Sequence, residues 1–244
     1  MIPLILRQLR WRLLVVAAIC VVFYVIEPAL HVHAEDAAEA AAIVPPGEIA
    51  FSMANLAGAS MLVLLTGFVS TDRRRGYYRI YFSHPTRPLA YYGLRWLIAY
   101  GLTLAICVAF FVVSQLAAWG ELRAPADTLL QPALFALVYG GLVAFVSVVF
   151  PRGDSLIAFA VWGVTASWYE FFLRVFDETG IEPPLPLLVR QAVSFVLPPH
   201  LAVGDLYEAL RAGHIAWGTL GFIGGYGAFW LALAALLLWS REWP

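Results

Sequence analysis

The chain has 244 residues, 62% of them hydrophobic and only 13% charged, with a mean hydropathy of +0.80, where an ordinary soluble domain is roughly a quarter charged. That composition belongs in a bilayer, and a net charge of -1 leaves no basic excess to point to nucleic acid. All 15 basic residues are arginine, which excludes a lysine-dependent phosphate loop, G-x-x-x-x-G-K-S/T, and a Schiff-base lysine from this sequence.

At the start, IPLILRQLRWR sets Ile2, Leu6 and Leu9 on one helical face with Arg7 and Arg10 beside it. Residues 1–12 therefore read as a short interfacial helix on the inner leaflet. Six apolar runs follow, near 13–30, 49–70, 90–118, 129–150, 155–173 and 215–239, each close to the roughly 20 residues that cross the hydrocarbon. The rival reading of the first is a secretory signal ending at HVHA, but the run is long for a signal core. Arginines gather on alternate connections: Arg7, Arg10 and Arg12, then Arg73, Arg74, Arg75, Arg79 and Arg87, then Arg152, then Arg241. The intervening connections are mainly acidic, with Glu35, Asp36, Glu39, Glu48, Glu121, Asp127, Asp177, Glu178, Glu182, Asp205 and Glu208 outnumbering Arg123, Arg174, Arg190 and Arg211. Arginine close to span ends marks the cytoplasmic side, so both termini are expected there.

Residues 174–214 form a longer excursion on the outer side. LLVRQAVSFVL, residues 187–197, lies between proline clusters, and eleven helical residues reach only about 16 Å, too short to cross. After it, Val203, Leu206 and Leu210 share a helical face, Asp205, Glu208 and Arg211 fall elsewhere, and Gly213 supplies a stop. Two short interfacial helices are expected, with a seventh span as the lesser alternative. No internal repeat is present, only the alanine-rich AEDAAEAAA of the first outer loop, and residues 1–244 read as one membrane domain.

Residues able to carry chemistry are sparse. H-E-x-x-H and G-x-S-x-G are absent, and Cys20 and Cys107 lie in apolar runs, where a thiol packs as a small hydrophobe. His31 and His33, next to Glu35 and Asp36, offer two metal ligands but no third at a recognisable spacing, which favours a solvated loop over Zn²⁺ or Cu²⁺. Glu27 and Glu170 sit near outer span ends and Arg95 near an inner one, where each can snorkel to the headgroups. A proton- or sodium-driven carrier needs a carboxylate near the midplane, so energy for transport would come from outside this chain. Gly221 with Gly225, and Ala136 with Gly140, form small-xxx-small pairs expected to pack within the bundle rather than between two copies. No catalytic, cofactor-binding or metal-ligating residue is nominated.

The connection between the second and third runs is the most unusual segment. STDRRRGYYRIYFSHPTRPLAYYGLRWL, residues 70–97, packs six arginines and five tyrosines into one turn-ended unit. A loop that only set topology would need the arginines but not the aromatics and prolines, which suit docking into a protein groove. Asp72, Arg73, Arg74, Arg75, Tyr77, Tyr78, Arg79, Tyr81, Pro85 and Arg87 are the candidate docking residues.

The acidic residue, basic cluster and Gly76, followed by S-H-P-T-R-P-L-A-Y-Y-G-L-R-W-L, resemble the inner loop of ABC-2 type permeases, the membrane subunits of ABC exporters. Ser83, Pro85, Thr86, Arg87, Tyr91, Tyr92, Gly93 and Arg95 carry the resemblance, with Asp72 where glutamate is commoner and Arg95 where lysine is commoner. The resemblance implies an all-α, six-span fold of the type V exporter kind with both termini cytoplasmic, in a prokaryotic inner membrane. It implies a coupling segment at 71–89 that docks on a separate ABC ATPase, which binds ATP and Mg, so this chain would be no enzyme by itself. A second permease subunit, identical or related, and membrane lipid are the other expected partners. The alternative is a noncatalytic anchor or scaffold subunit of another membrane complex; an intramembrane enzyme lacks a nucleophile. Predominantly apolar spans lean towards a hydrophobic or amphipathic cargo such as a lipid, with a peptide, a sugar polymer or a metal-handling role as the open alternatives.

Overall fold

The computed structural model describes residues 2–22, 46–76, 87–123, 126–150, 152–165 and 197–240. With no water in the hydrocarbon, backbone polar groups must pair within their own segment, and the described chain is accordingly helical with no strand. The elements are α1 Ile2–Val21, α2 Pro46–Leu65, α3 Ser70–Arg75, α4 Pro88–Trp119, a 3-10 turn Ala126–Leu129, α5 Leu130–Val149, α6 Asp154–Thr165, α7 His200–Arg211 and α8 Trp217–Ser240. Among the described residues, four stretches are long and apolar enough to cross a membrane: Met53–Arg75, Pro88–Leu116, Asp127–Val149 and Trp217–Ser240. They coincide with the expected runs at 49–70, 90–118, 129–150 and 215–239. The expected runs at 13–30 and 155–173 are described only in part, by the second half of α1 and by α6.

Local chemistry sets the boundaries. Pro88 opens α4 at the first helical position, where a missing N–H costs nothing, and Gly120 closes it in the left-handed conformation, its N–H returning to the Leu116 carbonyl at 3.0 Å. α1 runs unbroken through Arg12, so residues 2–12 continue into the start of the first apolar run within one helix. Its inward stripe is Ile5, Leu9 and Val16, spaced i, i+4 and i+11 on one helical face, whereas Ile2 and Leu6 are exposed, and α1 packs against α2.

The four long helices divide unequally. Of the most apolar window in each, 78% is buried in the segments containing α2 and α5 but only 22% in α4 and α8, so α2 and α5 form the centre. α5 packs against α2, α8 and α4, and α1 covers another side of α2. Association between apolar helices in lipid depends on close packing, and here glycines provide it. A Cβ on Gly227 would stand 2.8 Å from the Leu137 side chain, and one on Gly141 would run into the Gly227 carbonyl. Gly140 is filled from across by Met61 and Trp96, and Ala136 is fully buried. Gly221 and Gly225 have open space beside them. The expected α8 pair is therefore displaced: the close approach uses Gly227 against Gly141, because the face carrying Gly221 and Gly225 turns away from α5.

Contacts fix the relative directions. Gly58 meets Tyr139 and Val69 meets Ser147, so α2 and α5 run parallel; Gly141 meets Gly227 and Phe145 meets Trp230, so α5 and α8 run parallel too. α4 is antiparallel to α2, with Arg95 by Phe68 and Thr103 by Met61. One end of the bundle consequently collects Arg12, α3, the start of α4 and the end of α5. The opposite end carries exposed Glu121, Asp127, Asp205 and Glu208. There α7 lays Val203, Leu206 and Ala209 inward, with Leu210 half-buried, and Gln131 donates to the Val203 carbonyl at 3.4 Å. The other expected interfacial helix, residues 187–197, lies outside the described residues except for Leu197.

Candidate functional site

α2 stops four residues short of α3 because Gly67 takes a φ of 65°, a left-handed turn that costs residues with a Cβ about 1–2 kcal/mol. A Cβ at this position would also collide with the Thr71 hydroxyl. A helix interrupted in this way frees backbone groups that water cannot reach, and several of them have defined partners. The Phe68 N–H shifts to the Leu65 carbonyl at 2.9 Å, so the Leu64 carbonyl is released and accepts from Arg12 Nη1 at 2.6 Å. The Val69 and Ser70 N–H groups both donate to Ser147 Oγ of α5, at 2.9 and 3.2 Å. The Phe68 carbonyl accepts from Arg95 Nη1 of α4 at 2.9 Å.

The same Arg95 nitrogen pairs with Asp72 Oδ2 at 3.2 Å, and the Tyr92 hydroxyl donates to that oxygen at 3.3 Å. Asp72 is only 5% exposed and Arg95 4%. Two buried charges offset each other's desolvation only when paired and hydrogen-bonded, and this pair is both. The Phe68 ring packs edge-on against Tyr92 at 5.4 Å and lies under the Arg95 guanidinium, 5.5 Å from its carbon, a cation–π arrangement. On the side facing α1, the Tyr91 hydroxyl donates to Gln8 Oε1 at 3.3 Å. Arg73 Nη1 donates to the Val148 carbonyl at 3.2 Å. Arg12 precedes the first apolar run; burial, with a smaller push from Arg95, lowers its pKa to about 10 while Asp72 and Asp154 hold it up, so it remains a cation at neutral pH. Asp154, at the start of α6, is itself buried and accepts from Ser155 Oγ at 3.5 Å through Oδ1.

α3 therefore has two faces. Asp72 points into the bundle, Arg73 is half-buried against α5, and Arg74 and Arg75 are exposed. Gly76 ends the helix in the left-handed conformation, its N–H bonding the Arg73 carbonyl at 3.2 Å. Of the candidate docking residues, Arg74, Arg75 and Arg87 present exposed side chains, and Asp72 is withdrawn into the ion pair. Tyr77, Tyr78, Arg79, Tyr81 and Pro85 lie outside the described residues, as do His31, His33, Glu27 and Glu170. Arg95 does not snorkel: a carboxylate one helix away offers a better partner than the headgroups.

Sequence reading missed the inward roles of Arg12, Ser147 and Asp154. A usable signal was present, since ionisable groups at the edge of an apolar run usually pair with one another; what it lacked was which edges adjoin. Among the described residues no cluster of metal-ligating side chains occurs. No family model, curated protein or solved structure matches the chain.

Proposed function

We propose that the chain is the transmembrane subunit of an ABC exporter: it lines the export path together with a second permease subunit, and a separate ATPase, holding ATP and Mg, docks on the 71–89 segment. In this reading the chain itself is not an enzyme and resides in a prokaryotic inner membrane. The observation that carries it is the mounting of the arginine cluster. Arg74 and Arg75 stand exposed on a short helix whose other face is fastened to α4 by Asp72–Arg95 and to α5 by Arg73–Val148 and Ser147. A push on that surface reaches both helices at once, and interfaces packed this tightly respond as rigid bodies rather than by smooth deformation.

Helix directions support six crossings with both termini on the arginine-rich side. Arg12 lies beside Leu64, at the far end of α2 from its start, so the chain passes from one end of the bundle to the other between them. α5 and α8 run parallel, which requires another return between Val149 and Trp217, begun by the apolar α6. Added to the four long helices, these two returns support the six-span reading. The direct test is purification from the native membrane in mild detergent with mass spectrometry and an ATPase assay. Co-purifying ABC ATPase, lost when Arg74→Glu and Arg75→Glu are combined or when Tyr77, Tyr78 and Tyr81 are replaced by Ala, is the expected result. An intact chain bound to a different complex, with no ATPase, would replace the exporter by an anchor subunit.

A further inference from the structure

Two arginines of α1 take no part in the network around Gly67. Gln8 is bonded to Tyr91 near the start of α4 and Arg12 to the end of α2, so the turns between them stand at the arginine-rich end of the bundle. Arg12 is drawn inward there, but Arg7 and Arg10 are exposed. Among the described residues the ion pairs are Asp72–Arg95 and Glu121–Arg123, so neither arginine has a carboxylate partner. Arg10 instead lies over the ring of Trp11, its guanidinium carbon 5.4 Å from the ring centre, and Trp11 is itself 66% exposed.

At about 100° per residue, the buried stripe Ile5, Leu9 and Val16 is opposed, half a turn round the helix, by Arg7, Trp11, Leu14, Ala18 and Val21, all of them exposed. Their order along the stripe is cation, indole, then apolar side chains only. That is the order of polarity met on passing from the headgroups of a leaflet into its hydrocarbon. Arg10 stands beside the stripe, three residues from Arg7, with Cβ atoms about 5–6 Å apart, so the two guanidinium groups can share one phosphate. A soluble protein docking at this end would meet the arginines but leave Leu14, Ala18 and Val21 uncovered. An acyl chain would cover them and bring its phosphate to the arginines in the same molecule.

We propose that this outward face of α1 is a binding site for one phospholipid of net negative headgroup charge. Its phosphate is held by Arg7 and Arg10, Trp11 stands at the level of its glycerol, and an acyl chain lies along Leu14, Ala18 and Val21. Net negative charge is required because a zwitterionic headgroup supplies its own cation to the phosphate, whereas an anionic one leaves its charge for two guanidinium groups that have no carboxylate. The site rests on the first apolar run crossing the bilayer and not on the exporter reading. It gives this end of α1 a role separate from the surface around Arg74 and Arg75.

Photocrosslinking of the full chain in phosphatidylcholine nanodiscs tests it. The probes are phosphatidylglycerol and phosphatidylcholine carrying the same diazirine on one acyl chain, each added at the same low fraction, and adducts on residues 11–22 are counted by mass spectrometry. The phosphatidylglycerol probe is expected to label this stretch about tenfold more than the phosphatidylcholine probe. Arg7→Gln combined with Arg10→Gln is expected to bring the two within about twofold of each other. Arg7→Lys with Arg10→Lys keeps both charges and is expected to keep most of the preference; Arg74→Gln with Arg75→Gln, on α3, is expected to keep all of it. Equal labelling by the two probes in the parent, a preference unmoved by the glutamine pair, or one lost as fully in the lysine pair or the α3 pair, overturns the site. So does an absence of adducts at 11–22 with both probes, which would also remove the first crossing. A glutamine pair that releases a co-purifying protein while the lipid preference stands overturns the site in favour of that protein. ATPase co-purification is read separately, so the exporter can fail with the lipid site intact, and the lipid site with the exporter intact.

Discussion

Asp72 and Arg95 show how a single pair changes the meaning of a charged loop. Removing one partner leaves the other charged and buried, a loss of about 3–5 kcal/mol, whereas neutralising both at similar volume is far milder. Arg95→Gln and Asp72→Asn are each expected to lower the thermal midpoint of the purified chain sharply, and the double variant to recover most of the loss; additive losses would mean that the 3.2 Å pair does not couple the two residues. Tyr92→Phe removes one hydroxyl donor from the same carboxylate, for an expected cost of about 0.5–1.5 kcal/mol in the same melt. The sequence made both charges visible at the edges of neighbouring apolar runs. It did not make visible that one carboxylate, among six arginines within 28 residues of chain, turns inward. Charge type is written in the residue, but the partner is chosen by helix rotation, and that depends on packing from α2 and α5.

Helices as elements were largely legible, because a run of about 20 apolar residues has few alternatives in a bilayer. Four such runs reappear as helices within a few residues of their expected limits, with Pro88 and Gly120 marking α4 as their chemistry dictates. The break in α2 was not legible. Gly67 stands in an apolar run where glycine is ordinary, and the backbone groups around its φ of 65° are bonded by Arg12, Arg95 and Ser147, the last of these 78 residues from its partner Val69 in sequence. Small-residue spacing was similarly ambiguous: Gly221 and Gly225 satisfy it on α8, yet Gly227 makes the contact. Substitution distinguishes the two faces. Gly227→Val overpacks the α5–α8 seam, where a Cβ already meets Leu137 at 2.8 Å, and is expected to cost about 1–3 kcal/mol. Gly225→Val, with open space beside it, should leave the detergent melting curve within about 0.5 kcal/mol of the parent. Equal losses at both positions would place α8 in a different rotation about its axis.

For the whole molecule, the arginine bias and the helix directions make one joint statement about sidedness that neither makes alone. The bias assigns each connection to a side from composition; the contacts Arg12–Leu64, Val69–Ser147 and Phe145–Trp230 gather those connections at common ends of the bundle. Arg74, Arg75 and Arg87 are exposed at one end, Glu121, Asp127 and Glu208 at the other, so single-cysteine variants at these positions report orientation without disturbing the core. Cys20 and Cys107 would first be replaced by Ser or Ala, although Cys107 is buried. In sealed right-side-out vesicles, a membrane-impermeant maleimide is expected to label Asp127→Cys and Glu208→Cys immediately, and Arg74→Cys and Arg87→Cys only after the vesicles are opened. The reverse pattern would put the arginine surface outside, beyond the reach of any ATP-consuming partner, and the exporter reading would fall with it. Labelling from both sides at one end would instead break the link between the arginine bias and the bundle ends. The first pattern leaves the surface around Arg74 and Arg75 facing the compartment that holds ATP, which a nucleotide-driven push on α3 requires.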